Sequence, residues 1–234
     1  MSTIRLVNAA KSYEGLSHQT AALNWLQEQQ SPQILAQFAE MFRADPPAKA
    51  EASPTPAQNS TMLTVPYEFQ LDNRSGTGYR ECFSSSCAMV ARLNGKVKSD
   101  DEYNAIRARF GDSTNSGAQL RALGSLGLTA TFHQNGSAAV LEALIREGCP
   151  VPVGWLHKGS VNAPTGGGHW SVVIGFNDAS FIHNDPNGEA DLVGGGYVSN
   201  AANVGAGIRY SRKNWLRRWE ADGRGSGWYL RVRP

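Results

Sequence analysis

The chain has 234 residues, 41% of them hydrophobic and 18% charged, the profile of a globular protein with one ordinary domain and a smaller piece. Twenty-two Lys and Arg stand against 20 Asp and Glu, so a net charge of +2 predicts no nucleic-acid partner, and no apolar run approaches the length of a membrane span. Three cysteines without close spacing exclude a disulfide scaffold and point to synthesis in a reducing compartment.

Residues 1–45 read as a helical module. Ser17 caps a helix with an apolar stripe of Ala21, Ala22, Trp25 and Leu26, and Ser31-Pro32 starts a second one lined by Leu35, Phe38, Ala39 and Phe42. Two short helices cannot bury both faces alone, so this piece is expected to pack on something else: cell wall, another copy, or the main domain. Residues 46–61 hold four prolines and no large apolar side chain, which makes them a semi-rigid linker and the strongest domain boundary. Residues 62–234 form the main domain.

In that domain Thr64-Val65-Pro66-Tyr67 is extended and leads to Gln70. Residues 82–93 are helical and stop at Asn94-Gly95; residues 101–109, 117–126 and 138–146 are further helices, the last capped by Ser137. Residues 128–132 read as a strand, as do 151–156, where Pro152 suggests a sheet edge. Residues 170–176 and 180–184 are strands joined by the hairpin signal Asn177-Asp178. Trp215, Trp219 and Trp228 are expected at core and strand positions. Helices first and paired strands later predict an α+β fold. The tail carries eight basic residues between Arg209 and Arg233 against Glu220 and Asp222, a candidate contact for an anionic surface.

Four residues form the candidate site. Cys82 opens an apolar helix, and the positive end of a helix favours a thiolate placed there. Alone it would read as a buried structural thiol, the role that suits Cys87 better. His169 follows Gly166-Gly167-Gly168 and opens a strand, where it can act as a base. Asp185 ends the next strand, where the hairpin would set it beside His169 as the orienting group; its ordinary reading is a turn starter before Pro186. Asn184 is the fallback on the other face, and His183 is structural. Gln70, with the Cys82 backbone N–H, is the candidate oxyanion donor. His133, His157, His169 and His183 are scattered without HExxH or CxxC spacing, and there is no phosphate-cradling loop, so neither metal nor cofactor is expected.

Val65-Pro66-Tyr67 through Gln70, Cys82-x-x-x-Ser86-x-Ala88-Met89, Gly148-x-Pro150-Val151, and Gly168-His169-Trp170 with Asp185-Pro186 run in the order of the C39-like peptidases, a branch of the papain-like cysteine peptidases, which this chain resembles. The resemblance implies a papain-like fold, with a nucleophile-bearing helix on an antiparallel sheet, and Cys82, His169, Asp185 and Gln70 in the roles above. Phe83 departs from the Cys-Gly pair of many members. Tyr13 to Gln19 with Ala22 to Gln27 resembles a short module of phage and bacterial cell-wall lytic proteins. That likeness implies an endolysin: a cysteine peptidase made in the cytoplasm without a signal peptide, released by a holin, and cutting peptide stems or cross-bridges of peptidoglycan. The alternatives are a peptidase that processes proteins or acts as a toxin effector, and an inactive binding protein on the same fold.

Overall fold

The structure is a computed structural model that describes residues 60–234. The helical module expected at 1–45 and nearly all of the linker lie outside the described residues. Among the described residues no helix is long and apolar enough to cross a membrane.

The order of elements is β1 (Thr61–Met62), α1 (Cys82–Leu93), α2 (Asp100–Arg107), α3 (Ser116–Ser125), β2 (Thr129–Gly136), α4 (Ala138–Arg146), β3 (Val151–Trp155), β4 (His169–Phe176), β5 (Ser180–Asn184), β6 (Glu189–Ala190), β7 (Tyr197–Ser199), β8 (Ile208–Ser211), α5 (Arg212–Trp219) and β9 (Gly227–Arg233). Short 3-10 turns occupy Gln70–Asp72 and Gly78–Arg80. Local caps set the helix boundaries. Ser99, Asn115, Ser137 and Ser211 each accept a hydrogen bond from a backbone N–H in the first turn of the helix that follows. Gly95 ends α1 at a φ of 67°, with the Lys96 N–H reaching back to the Ala91 carbonyl.

Seven strands form one antiparallel sheet, in the order β2-β9-β3-β4-β5-β8 with β1 on β4, and β6 and β7 pair as a separate two-stranded sheet. β3 covers His169 to Val173 of β4, and β1 takes up the same side at Gly175 and Phe176. Alternation along the strands divides the apolar residues between two cores. Val172, Ile174, Ile182, Leu230 and Val232 pack with α1, α2 and α3. Val151, Val153, Val173, Phe181 and Tyr229 pack with α4 and α5.

Three expectations need correction. β3 is not an edge but lies between β9 and β4; β9 pairs only with Val153 and Gly154, so the missing N–H of Pro152 interrupts no ladder on that side. The strand expected at 128–132 runs on to Gly136, paired along β9. The tail also holds a helix, α5, which places Trp215 and Trp219 in the core with their rings stacked at 5.1 Å. Trp228 is on a strand as expected, but 44% exposed.

One close approach fixes how α1 lies on the sheet. Phe83 and Trp170 stack face to face at 3.6 Å with 3° between their planes. Trp170 pairs across the ladder with Gly154, where an added Cβ would sit 2.9 Å from the indole. Gly154→Ala should therefore push Trp170 off Phe83 and lower stability by about 1–3 kcal/mol, the usual cost of overpacking. Denaturant unfolding with tryptophan fluorescence measures this, and an unchanged midpoint would show that the stack does not depend on the glycine.

Candidate active site

Cys82 is the first residue of α1, half-buried, at the positive end of a twelve-residue helix. The residue before it, Glu81, is buried and accepts hydrogen bonds from Asn73 Nδ2 at 2.8 Å, Ser75 Oγ at 2.8 Å and Thr77 Oγ1 at 2.9 Å. The serines after it do more than leave space. Ser84 Oγ accepts from Arg107 Nε of α2 and Gln119 Nε2 of α3, and Ser85 Oγ donates to Asp100 Oδ2 at 2.7 Å. The start of α1 is thus tied to a loop on one side and two helices on the other. Cys87 is fully buried in the core, where burial pushes its thiol well up.

His169 opens β4 and Asp185 follows β5, and the antiparallel pairing of these strands brings the two side chains together. His169 Nε2 lies 2.7 Å from Asp185 Oδ1, with the carboxylate fully buried. Since Asp185 occupies Nε2, Nδ1 is the ring nitrogen left for Cys82, which lies close enough to favour the charged ring. Burial by itself pulls His169 down, but the Asp185 charge, its hydrogen bond and the Cys82 contact outweigh that and raise the imidazolium to about 10. Asp185 is also the turn starter its sequence suggested: Oδ1 accepts the Asn187 N–H at 3.0 Å.

Gln70 is buried beside this pair, its backbone N–H bonded to the Pro186 carbonyl at 2.9 Å. Its Nε2 donates to the Gly78 carbonyl at 2.8 Å, which uses one of two N–H bonds and leaves Oε1 without a partner. Asn184 holds a different role, donating to the Val65 carbonyl and accepting from Gly207 N–H. Among the described residues no group of three or more His, Cys, Asp or Glu is placed to hold a metal ion.

Several residues around the pair were not singled out from the sequence. Rings of Trp155, Tyr197 and His157 surround His169 at 5.2, 5.7 and 5.7 Å, and Tyr67 donates to the Asp185 carbonyl at 3.0 Å. Tyr67 lay in a matched motif without a role, and no local signal marks the others. A groove of about 570 Å³ runs past Cys82, lined by Phe83, Phe132, Trp155, Trp170 and Trp228 and by Gly166–Gly168.

The family model of the papain-like cysteine protease AvrRpt2 matches residues 59–193, more than half of the chain and a span that contains the four candidate residues. The chain belongs to this family. It is a cysteine peptidase of the papain-like class in fold and family, and the mixed helix and antiparallel-sheet architecture agrees with that. A solved structure described as a C39-like peptidase from Bacillus anthracis superposes with a TM-score of 0.52 at 16% identity, covering 75% of this chain and 98% of the other. The peptidase domain of Streptococcus ComA, a bi-functional ABC transporter, gives a TM-score of 0.48 at 18% identity, over 72% and 97%. A comparison with the curated proteins finds no match.

Two further histidines carry a pH signature. Ser171 Oγ accepts from Trp155 Nε1 at 3.0 Å and shares a hydrogen bond of 3.0 Å with His183 Nδ1, while His183 Nε2 is buried without a partner, so a charged ring would leave a buried N–H unmet and His183 is neutral. Burial, then the charge on His169, depresses His183 to about 3 and His157 to about 4. Both values lie below the unfolded 6.5, so their contribution is present above pH 6.5 and lost as pH falls toward 4 and 3. His169 has the opposite sign: its contribution is complete below 6.5 and lost as pH rises through about 10. His183→Gln, which keeps a hydrogen-bonding partner for Ser171, should flatten the acid side of a plot of unfolding midpoint against pH. Parallel curves for variant and wild type would overturn the neutral assignment.

Proposed function

We propose that the chain hydrolyses peptide bonds with Cys82 as nucleophile, His169 as acid and base, and Asp185 as the group that orients and charges His169. The observation that carries this reading is the buried His169–Asp185 bond of 2.7 Å, beside the groove that Cys82, Gly168 and Trp170 line, with the remaining ring nitrogen left for Cys82. The Cys82 thiolate attacks the carbonyl carbon, and the oxygen gains charge beside the Cys82 backbone N–H and the free N–H of Gln70. The His169 imidazolium gives its proton to the leaving amine as the C–N bond breaks, and a thioester remains. His169 then takes a proton from water, which attacks the thioester; the C–S bond breaks and the acid leaves.

For the substrate, the groove supports a polypeptide held in extended form. Phe132, Trp170 and Trp228 offer apolar surface suited to large side chains, which peptidoglycan stems, short and rich in small and charged groups, do not supply. A second reading keeps peptidoglycan peptides as the substrate and the chain as an endolysin. It draws on the cell-wall-lytic resemblance of Tyr13 to Gln27, outside the described residues.

Incubation of the purified full chain with an unfolded protein and, separately, with bacterial sacculi separates the two. Mass spectrometry of the products should find new amino termini in the protein digest. New amines from sacculi alone would favour the endolysin instead. Cys82→Ala should lower the rate at least about a thousandfold while leaving the fold intact, and His169→Gln, which keeps an N–H donor for Asp185, should lower it as far. Cleavage that survives Cys82→Ala overturns the mechanism. The rate should fall as pH rises through about 10, where His169 loses the proton the leaving amine needs.

A further inference from the structure

Asp185 Oδ1 is taken up by His169 and the Asn187 N–H, and Oδ2 has its own partner. Tyr210, buried on β8, places its hydroxyl 2.8 Å from Asp185 Oδ2. The Ala190 N–H donates to the same hydroxyl at 3.0 Å, so the lone pair is occupied and the single O–H proton is free to go to the carboxylate. The alternative acceptor, the Gly188 carbonyl, is farther, at 3.4 Å, and uncharged. The ring cannot swing away: Trp155 packs edge-on at 5.8 Å and His183 lies at 4.9 Å. Tyr210 lies beyond residue 193, where the family match ends.

We propose that Tyr210 is a positioning residue of the hydrolysis: its hydroxyl fixes Asp185 Oδ2 and shares the carboxylate's charge, which sets how firmly Asp185 holds the proton of His169. The proposal rests on the reading that His169 and Cys82 carry the chemistry. A carboxylate with a donor on each oxygen is less basic than one with a bare oxygen in an apolar pocket. Oδ1 keeps two donors without Tyr210, so the effect of losing its hydroxyl is on charge more than on place. His169 then holds its proton too tightly to give it to a leaving amine. The other titratable groups facing the pair are Cys82, His157, His183, Tyr67 and Tyr197, with Lys158 and Arg218 as the cations near His157.

The test follows His169 directly in the full chain, by nitrogen-15 NMR of the imidazole against pH, alongside kcat and KM on the protein substrate. In Tyr210→Phe the His169 titration should move up by roughly half a unit or more, kcat should fall about tenfold, and KM should hold. Tyr210→3-fluorotyrosine, with nearly the same shape and a stronger donor, should move the titration down and so guards against a folding defect in the first variant. Titrations unmoved in both variants, or a change in KM alone, overturn the proposal and leave Tyr210 as an anchor for β6. Failure of the underlying reading looks different: wild-type protein that cleaves no peptide bond, with the NMR shifts still present.

Discussion

A carboxylate with no surface in water is the constraint on which the rest of this domain is arranged. An unpaired buried charge is costly, so every lone pair of Asp185 must be met. His169 comes from the start of β4, the Asn187 N–H from the following turn, and the Tyr210 hydroxyl from β8. The backbone of Asp185 is held as well, its carbonyl by Tyr67 and its N–H by the Gly205 carbonyl. Four distant segments therefore converge on one residue. The Gln70 turn comes with them, because its N–H bonds the Pro186 carbonyl beside Asp185. The ends of the strands and the entry to the domain are thus fastened at the place where His169 must stand.

The proposed nucleophile needs a separate device, because Cys82 belongs to the helix layer while His169 faces the opposite core with Ser171 and Val173. That device is the pair of residues next in sequence. Phe83 follows Cys82, Trp170 follows His169, and their rings stack across the junction of helix and sheet. Fixing Phe83 on Trp170 fixes the rotation of α1 about its axis, and hence the direction in which Cys82 points. Phe83 in place of the glycine of many C39-like peptidases is therefore matched to Trp170 and to the space left by Gly154. It is a packing solution, and gives no ground for reading the site as inactive.

What could be read in the sequence was what is local. Helix starts at Ser137 and the stop at Gly95 depend on groups a few residues apart, and so do the His169-to-Asp185 hairpin and the turn after Asp185. The residues that were missed act over long separations. Tyr210 reaches Asp185 across 25 residues and Tyr67 across 118, with no spacing rule to announce them. Pro152 misled because proline reports a lost donor without saying on which side of the strand the donor would have been needed. The three serines after Cys82 looked like small residues alone, since their partners Asp100, Arg107 and Gln119 lie on other helices.

The basic tail shows the same distinction between closeness in sequence and closeness in space. Arg212 pairs with Glu142 at 2.7 Å, and Arg231 and Arg233 both meet Glu147. Arg218 is fully buried and gives its guanidinium to the carbonyls of Leu156, Lys158, Gly159 and Leu192. Five donors in a planar fork can gather several carbonyls at once, which a lysine could not do in the same geometry. That gathering shapes the loop after β3, which carries His157 toward His169, and it brings the segment before β7, where Tyr197 sits, against the same ring. Arg209, Lys213, Arg217 and Arg224 are the basic side chains left for a charged surface, Arg217 bonding only the neutral Asn162. Of the tail's basic residues Arg218 is the one that builds the groove wall, and α5 and β9 belong to the site through it and through Trp219 and Trp228, although no catalytic candidate lies on them.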